Sequence, residues 1–163
     1  MIGWKKDKKW SDAFIPEIKQ ILGLYLIGEP PVEEDQERNT DLMVLKMDAV
    51  RVGCRIRKNS YLNMYGGEFT IRAGRPSGVK TELTKVIEGW GDYFFYGFCN
   101  AEESALCSWF LGDLKVFRLF LMRSFAKKAT PWKNKNNTDN SSSFMAFETS
   151  SLPKEFIIAT GKN

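Results

Sequence analysis

One stretch of this chain alternates between two kinds of side chain with a period of two. From Val50 to Lys58 the sequence reads VRVGCRIRK, so that Val, Cys or Ile alternates with Arg or Gly. Because successive side chains of a β-strand point to opposite faces, this pattern predicts a strand with one apolar and one cationic face. The cationic face would carry Arg51, Arg55 and Arg57.

The residues before this strand predict its partner. Residues 42–47 are apolar apart from Lys46, and Met47, Asp48 and Ala49 read as a turn. We therefore expect an antiparallel hairpin over residues 42–58. A third strand, residues 68–72, follows Gly66 and Gly67 and would bring Arg72 to the same cationic face.

The rest of the chain reads as helices and strands that surround this hairpin. Together they predict an α/β (α+β) fold with a central mixed sheet that is begun by the hairpin and flanked by helices. The whole chain, residues 1–163, would be a single domain with a flexible internal loop over 130–143. The expected helices are 11–25, 79–97 and 116–125, and the expected later strands are 109–114, 144–147 and 156–159.

Composition excludes several chemistries. The chain has no histidine, which removes Ser-His and Cys-His nucleophiles and all imidazole metal sites. Its three cysteines show no CxxC spacing and predict buried thiols in a reducing compartment. No apolar run reaches the roughly 18 residues of a membrane span, and no signal-peptide pattern is present. We expect a cytoplasmic protein that does not enter a membrane.

Charge is segregated along the chain rather than interspersed. The net charge is only +4, but residues 29–37 hold five acids and no base. Residues 115–135 hold seven bases and no acid. Such segregation creates a local field that favours a charged partner. The basic run places Arg118, Arg123 and Lys127 among the candidates for contacts with DNA or RNA.

The arginines of the alternating strand allow two interpretations. A charged strand face is often only the face that meets water. Three like charges on one face, however, repel one another unless anions or solvent screen them, and a guanidinium suits two-point contact with phosphate. On that second reading Arg51, Arg55, Arg57 and Arg72 bind the backbone of a nucleic acid.

Asp41 also allows two interpretations. It opens the first predicted strand after Thr40, where an aspartate commonly caps a turn. Alternatively its carboxylate is a metal ligand beside the arginine face, with Glu17 of the first helix as a second ligand. Without histidine, the metal would be a hard cation on oxygen ligands.

This order of elements resembles the core of the PD-(D/E)XK nuclease-like superfamily, and the chain as a whole resembles small phage-type proteins of that superfamily. The motifs that carry the resemblance cover most of residues 10–160. They are TD before the first strand, a strand ending in RIR, and the segments GWGDYFFYGF, WFLGDLKVFR, SFMAF, LP and FIIA. The resemblance implies a Mg²⁺ ion on Asp41.

The same resemblance implies a carboxylate and a lysine where this chain has Arg55-Ile56-Arg57. Arginine stays protonated near neutral pH and cannot coordinate a cation. The departure favours a phage- or mobile-element-type nucleic-acid-binding protein with the nuclease-like fold and weak or no catalysis. A Mg²⁺-dependent nuclease that uses Asp41 and Glu17 remains an alternative.

Two further functions belong to other classes. The acidic run, with Glu33, Glu34 and Asp35, suits a basic groove on a host protein complex, as in an anti-CRISPR or anti-restriction inhibitor. A structural or assembly protein of a mobile element is the third reading. The aromatic segment 90–98 would stack on bases if exposed, although aromatics at this spacing more commonly form the core. The sequence leaves the oligomeric state open.

Overall fold

The computed structural model describes residues 2–28, 43–44 and 50–162. The chain divides into two compact units, Met1–Ala49 and Val50–Asn163. In the part that the structure describes, no helix combines the length and the apolar character that a bilayer crossing requires.

The first unit contains two consecutive helices, α1 (Ile2–Asp12) and α2 (Ile15–Leu26), instead of the one helix expected from Ser11. The Ser11 hydroxyl donates to the Lys8 carbonyl within α1, 3.0 Å away, and therefore does not cap α2. Pro16 lies in the first turn of α2, where its missing N–H costs no helical hydrogen bond. Two short strands, β1 (Ile27–Gly28) and β2 (Met43–Val44), pair antiparallel.

The second unit contains two sheets. A mixed sheet has the strand order β3-β5-β6-β9, and an antiparallel sheet has the order β4-β8-β7. The α+β class expected from the sequence is confirmed. The strands are β3 (Val52–Arg57), β4 (Glu68–Gly74), β5 (Tyr93–Cys99), β6 (Leu106–Asp113), β7 (Lys133–Asn136), β8 (Ser143–Glu148) and β9 (Ile157–Lys162). The helices are α3 (Leu62–Tyr65), α4 (Glu82–Ile87) and α5 (Leu114–Ala126).

The antiparallel hairpin expected over residues 42–58 is not found among the described residues. Instead, β3 pairs in parallel with β5, with Arg55 opposite Tyr96 and Arg57 opposite Phe98. The short strand β2 pairs with β1. The sequence pattern located β3 correctly but could not reveal a partner that lies far along the chain, and the expected turn at 47–49 lies outside the described residues.

The helix expected over residues 79–97 is a short helix followed by a strand. Helix α4 ends at Ile87, and the chain then turns through Gly89 at φ +94° and Gly91 at φ +82° into β5. These left-handed conformations are readily adopted by glycine, so the two glycines end the helix rather than allow close packing within it. The aromatic residues after them form a buried strand in the middle of the mixed sheet.

The core of the second unit is dominated by aromatic rings. Phe69 of β4 is fully buried and lies edge-on to Phe94 and Tyr96 of β5 and to Phe117 of α5, with ring centroids 5.2 to 5.6 Å apart. Edge-to-face pairs at this distance add about 0.5–1.5 kcal/mol each beyond the burial of area. Both sheets and α5 therefore share one core, and the aromatic residues of 93–98 belong mostly to it.

Part of the expected flexible loop 130–143 is a strand. Residues Lys133–Asn136 form β7 at the edge of the antiparallel sheet and pair with β8. The Lys133 ammonium lies 3.0 Å from Glu148, and that of Lys135 lies 2.7 Å from Glu68. A polar edge strand that is held by cross-strand ion pairs has the composition of a loop, which is why the sequence did not predict β7.

Candidate functional site

Arg55 and Glu82 are paired between β3 and α4. The guanidinium of Arg55 donates to the Thr70 carbonyl at 2.9 Å and to the Thr70 hydroxyl at 3.2 Å, and its other terminal nitrogen donates to the Glu82 carboxylate. The Arg55 side chain is only 15% exposed. Its donors are thus engaged by protein groups across the space between the two sheets.

Arg57 points the same way from β3, as the strand alternation requires. Its guanidinium donates to the Tyr96 hydroxyl at 3.3 Å and lies 4.8 Å from the ring centre of Tyr61 and 5.2 Å from that of Tyr65. The Tyr96 hydroxyl lies 2.9 Å from that of Thr70. Cation–π contact with two rings and a hydrogen bond to a buried hydroxyl hold this arginine in place.

Arg72 completes the group from β4. Its guanidinium lies 5.4 Å from the ring centre of Phe144, which also contacts Arg55 at 5.5 Å. The backbone N–H of Arg72 donates to Glu82 at 3.0 Å, while its side-chain Nε is buried and has no hydrogen-bond partner among the described residues. Burial lowers the pKa of Arg72, and the charge of Glu82 acts against that shift.

The predicted cationic face of β3 therefore exists, but three of its four expected members lie between the sheets. Arg55, Arg57 and Arg72 bind Thr70, Tyr96, Glu82 and aromatic rings rather than presenting open guanidiniums. Glu82, Thr70 and Tyr96 were not identified from the sequence. The one signal for Glu82 was Thr81 before it, an N-cap whose hydroxyl accepts from the Thr84 N–H.

Arg51 lies in a different and more open setting. Its guanidinium carbon is 5.9 Å from the ring centre of Trp90, a residue that is 58% exposed. Arg118 of α5 donates to the Gly91 carbonyl at 3.0 Å. Asp92 fixes the same loop, because its carboxylate accepts from the Arg51 backbone N–H at 2.7 Å. We call Arg51, Trp90 and Arg118 the Trp90 cluster.

Helix α5 presents most of the remaining predicted cations to solvent. Asp113 caps its start by accepting from the N–H groups of Lys115 and Val116 at 2.7 and 3.2 Å. Residues 114–138 contain no acid. The exposed cations of the helix and of its C-terminal end, here called the α5 cations, are Lys115, Arg123, Lys127 and Lys128. Exposed apolar residues, Leu119, Met122 and Phe125, lie on the same helix.

Five acidic residues are candidate site residues from the sequence, and the structure describes one of them. Asp41 and the acidic residues Glu33, Glu34 and Asp35 lie outside the described residues, so their roles stay predictions. Glu17 lies in the first turn of α2, in the first unit, and is half-buried.

Residues 55–57, where the resemblance implies a further carboxylate ligand, do not suit a cation. Positions 55 and 57 carry guanidiniums, and the carboxylate beside them, Glu82, already accepts from Arg55. Across the ranges that the structure describes, no group of three or more Cys, Asp or Glu side chains is placed to bind a metal ion. We therefore derive no reaction step through Mg²⁺ at residues 55–57.

No family model, no curated protein and no solved structure matches the sequence.

Proposed function

We propose that this protein binds nucleic acid containing unpaired bases through the Trp90 cluster and the α5 cations, without cleaving it. The proposal rests on the exposed Trp90 ring, which lies beside Arg51. The loop that holds Trp90 is hydrogen-bonded to α5, because Arg118 donates to the Gly91 carbonyl. An exposed aromatic face next to guanidiniums combines base stacking with attraction for phosphate.

Electrostatics supports this assignment. The α5 cations extend the positive charge of the Trp90 cluster, and no carboxylate in residues 114–138 neutralises them. Lysine and arginine side chains that replace condensed counterions supply most of the sequence-independent affinity for nucleic acids. Together the two groups offer more positive charge than a single loop could.

Geometry supports stacking at Trp90 rather than a purely structural role for it. Trp109 and Trp132, by comparison, pack against Phe95 and Phe147 at ring distances of 5.3 and 5.8 Å. Trp90 lies between two glycines, and its described aromatic-face contact is with the cation Arg51. Duplex bases are already stacked on one another, so such a ring favours single strands, loops or ends.

The chemistry at residues 55–57 supports the proposal that the bound nucleic acid is not cleaved. Arg55 and Arg57 stand where the resemblance to nucleases implies a carboxylate and a lysine, and both guanidiniums are engaged by protein groups. A protonated arginine can stabilise an anion but cannot act as a metal ligand. The site therefore supports binding better than hydrolysis.

Replacement of the ring tests the proposal. Trp90→Ala should weaken binding to a fluorescent single-stranded oligonucleotide by about 5- to 150-fold, the range of one lost base–aromatic stack. Fluorescence anisotropy measures the affinity. Ile158→Ala, which removes another exposed apolar side chain from β9, serves as the control and should bind like the wild type. Unchanged affinity in Trp90→Ala would exclude this ring as a binding group.

Charge reversal on α5 is an independent test of the same proposal. Lys127→Glu combined with Lys128→Glu should weaken binding strongly at low salt and less at high salt, because screening reduces both attraction and repulsion. Lys154→Glu combined with Lys162→Glu changes the net charge by the same amount at two other exposed lysines and should have a smaller effect. Equal losses in both proteins would indicate only a response to net charge and would contradict a surface on α5.

A further inference from the structure

A polar cleft lies where the antiparallel sheet ends. It has a volume of about 260 Å³ and is open to solvent on one side. The end of β4 and the turn after it form one wall, and the β7–β8 hairpin forms the other. The lining residues are Gly74, Arg75, Pro76, Asn136, Asn140, Ser142 and Ser143.

The lining is rich in donors and carries one charge. Arg75 is the charged residue, and no carboxylate is among the lining residues. Within the ranges 2–28, 43–44 and 50–162, the Arg75 guanidinium has no hydrogen-bond or ion-pair partner. Guanidinium, amide and hydroxyl groups are the donors with which proteins bind phosphate oxygens.

The hairpin wall holds its donors in place. The Ser142 side chain is only 6% exposed, and its hydroxyl accepts from the Asn137 side-chain amide at 3.1 Å. A hydroxyl that accepts in this way keeps its own hydrogen available for donation. The Asn137 N–H also donates to the Ser142 carbonyl at 2.9 Å, which closes the loop around the cleft.

The opposite wall is shaped by an irregularity in β4. The pairing with β8 shifts between Arg72 and Gly74, and a side-chain carbon at Gly74 would lie 2.5 Å from the Ser143 hydroxyl oxygen. Glycine therefore allows β4 to approach this hydroxyl closely. A turn follows, closed by the Gly78 N–H donating to the Arg75 carbonyl at 3.2 Å.

A second, only partly compensated cation, Arg72, lies near Arg75. Arg72 lies two residues before Gly74 and has a buried Nε without a described partner. Burial is the main cause that lowers the pKa of Arg72, and the nearby charge of Arg75 lowers it further. Glu82 partly compensates Arg72 but also binds Arg55. An anion placed beside Arg75 would relieve this repulsion between like charges.

We propose that this cleft binds a phosphate group through Arg75, Ser142, Ser143 and the amides of Asn136 and Asn140. Its volume is below the about 300–1,000 Å³ that is usual for sites of drug-sized ligands, so a phosphate with a short attached group fits. None of these residues belongs to the Trp90 cluster or the α5 cations, so the proposal goes beyond the proposed function and does not depend on it.

Inorganic phosphate is the first probe. Titrated against the ¹⁵N-labelled protein, it should give saturable amide shifts at Arg75, Asn136, Ser142 and Ser143, whereas chloride at matched ionic strength should not. In Arg75→Ala the apparent Kd should rise at least tenfold, and Arg75→Lys should recover part of the affinity because it keeps the charge but not the two-point geometry. Lys162→Ala is the control and should bind phosphate like the wild type.

Two ligands then identify the source of the phosphate. A 5′-phosphorylated dinucleotide that binds at least tenfold more tightly than inorganic phosphate would support the proposal and assign the cleft to a nucleic-acid end. Equal affinity would support it and assign the cleft to free phosphate. Absence of saturable shifts with both ligands, or equal affinities in the wild type and Arg75→Ala, would overturn the proposal. The Trp90→Ala protein, which impairs only the other surface, should retain these shifts.

Discussion

The guanidinium of Arg55 and the carboxylate of Glu82 form a half-buried ion pair that joins strand β3 to helix α4. Glu82 also accepts from the backbone N–H of Arg72 on β4, so one carboxylate connects three elements. Replacing only one residue of such a pair lowers the stability of the protein, because the other residue keeps its charge in a partly buried position without a counterion.

We expect Glu82→Ala to lower the free energy of unfolding by about 2 kcal/mol. Removal of one partner of a fully buried pair costs about 3–5 kcal/mol, and the remaining exposure of Arg55 (15%) and Glu82 (33%) reduces that figure. Urea denaturation followed by circular dichroism provides the measurement.

The matched control for this change lies just after the same helix. Glu88 pairs with Lys80, but these side chains are 35% and 64% exposed, so Glu88→Ala should cost only about 0–1 kcal/mol. If both variants lost the same stability, the Arg55–Glu82 pair would have no special structural role.

Tyr96→Phe removes a buried hydroxyl without changing the shape of the ring. Thr70 and Arg57 would each lose a hydrogen bond, at 2.9 and 3.3 Å respectively, so we expect a loss of about 1 kcal/mol in stability. The comparison is Tyr61→Phe, at an exposed position, which should change stability by less than about 0.5 kcal/mol. Equal stability of the two variants in urea would show that the buried network contributes nothing.

Gly91 and Gly23 should respond to alanine in opposite directions. Gly91 has φ +82°, and an added side-chain carbon would lie 2.9 Å from Leu114, so Gly91→Ala should cost about 1–3 kcal/mol. Gly23 lies in α2 with open space around it, so Gly23→Ala should gain about 1 kcal/mol of helix stability. Thermal unfolding of the two variants tests both signs, and stabilisation by Gly91→Ala would contradict the described turn.

The thiol of Cys99 should make stability decrease at alkaline pH. Cys99 is fully buried, and this burial raises its pKa above the ordinary value. Above about pH 8.5 the thiol ionises in the unfolded chain but stays protonated in the folded one, so rising pH favours unfolding. Stability should therefore fall less between neutral pH and about pH 9.5 in Cys99→Ala than in the wild type, as measured by urea denaturation. Parallel pH profiles would count against this coupling.

Local patterns in the sequence were sufficient for several elements. The alternation around Ile56 located β3, and the spacing in residues 116–125 located α5, because both signals depend on neighbouring residues. The buried aromatic segment 93–98 was expected to be core, but its spacing also fits a helix. The positive φ of Gly89 and Gly91 accompanies the end of the helix, and pairing with β3 and β6 makes the segment a strand.

The roles of the arginines could not be predicted in the same way. Alternation correctly placed Arg55 and Arg57 on one face of β3, but their partners come from other elements of the second unit, β4, α3, α4 and β5. Contacts between elements that lie far apart along the chain depend on long-range packing, and a single sequence does not reveal them. The open cation beside Trp90 is likewise recognisable only once the loop before β5 places Trp90 next to Arg51 and brings the Gly91 carbonyl to Arg118.

If the Trp90 cluster and the α5 cations bind the phosphate groups of a nucleic acid, the affinity must fall as the salt concentration rises. The affinity of the wild-type protein for a single-stranded oligonucleotide should therefore be measured at several salt concentrations. Each phosphate contact contributes about 0.7 to the slope of log affinity against log salt for single strands. Engagement of the four α5 cations together with Arg51 and Arg118 predicts a slope of about −4, and the Lys127→Glu, Lys128→Glu protein should give a flatter slope. A slope near zero, or no binding at low salt, would contradict the proposed function.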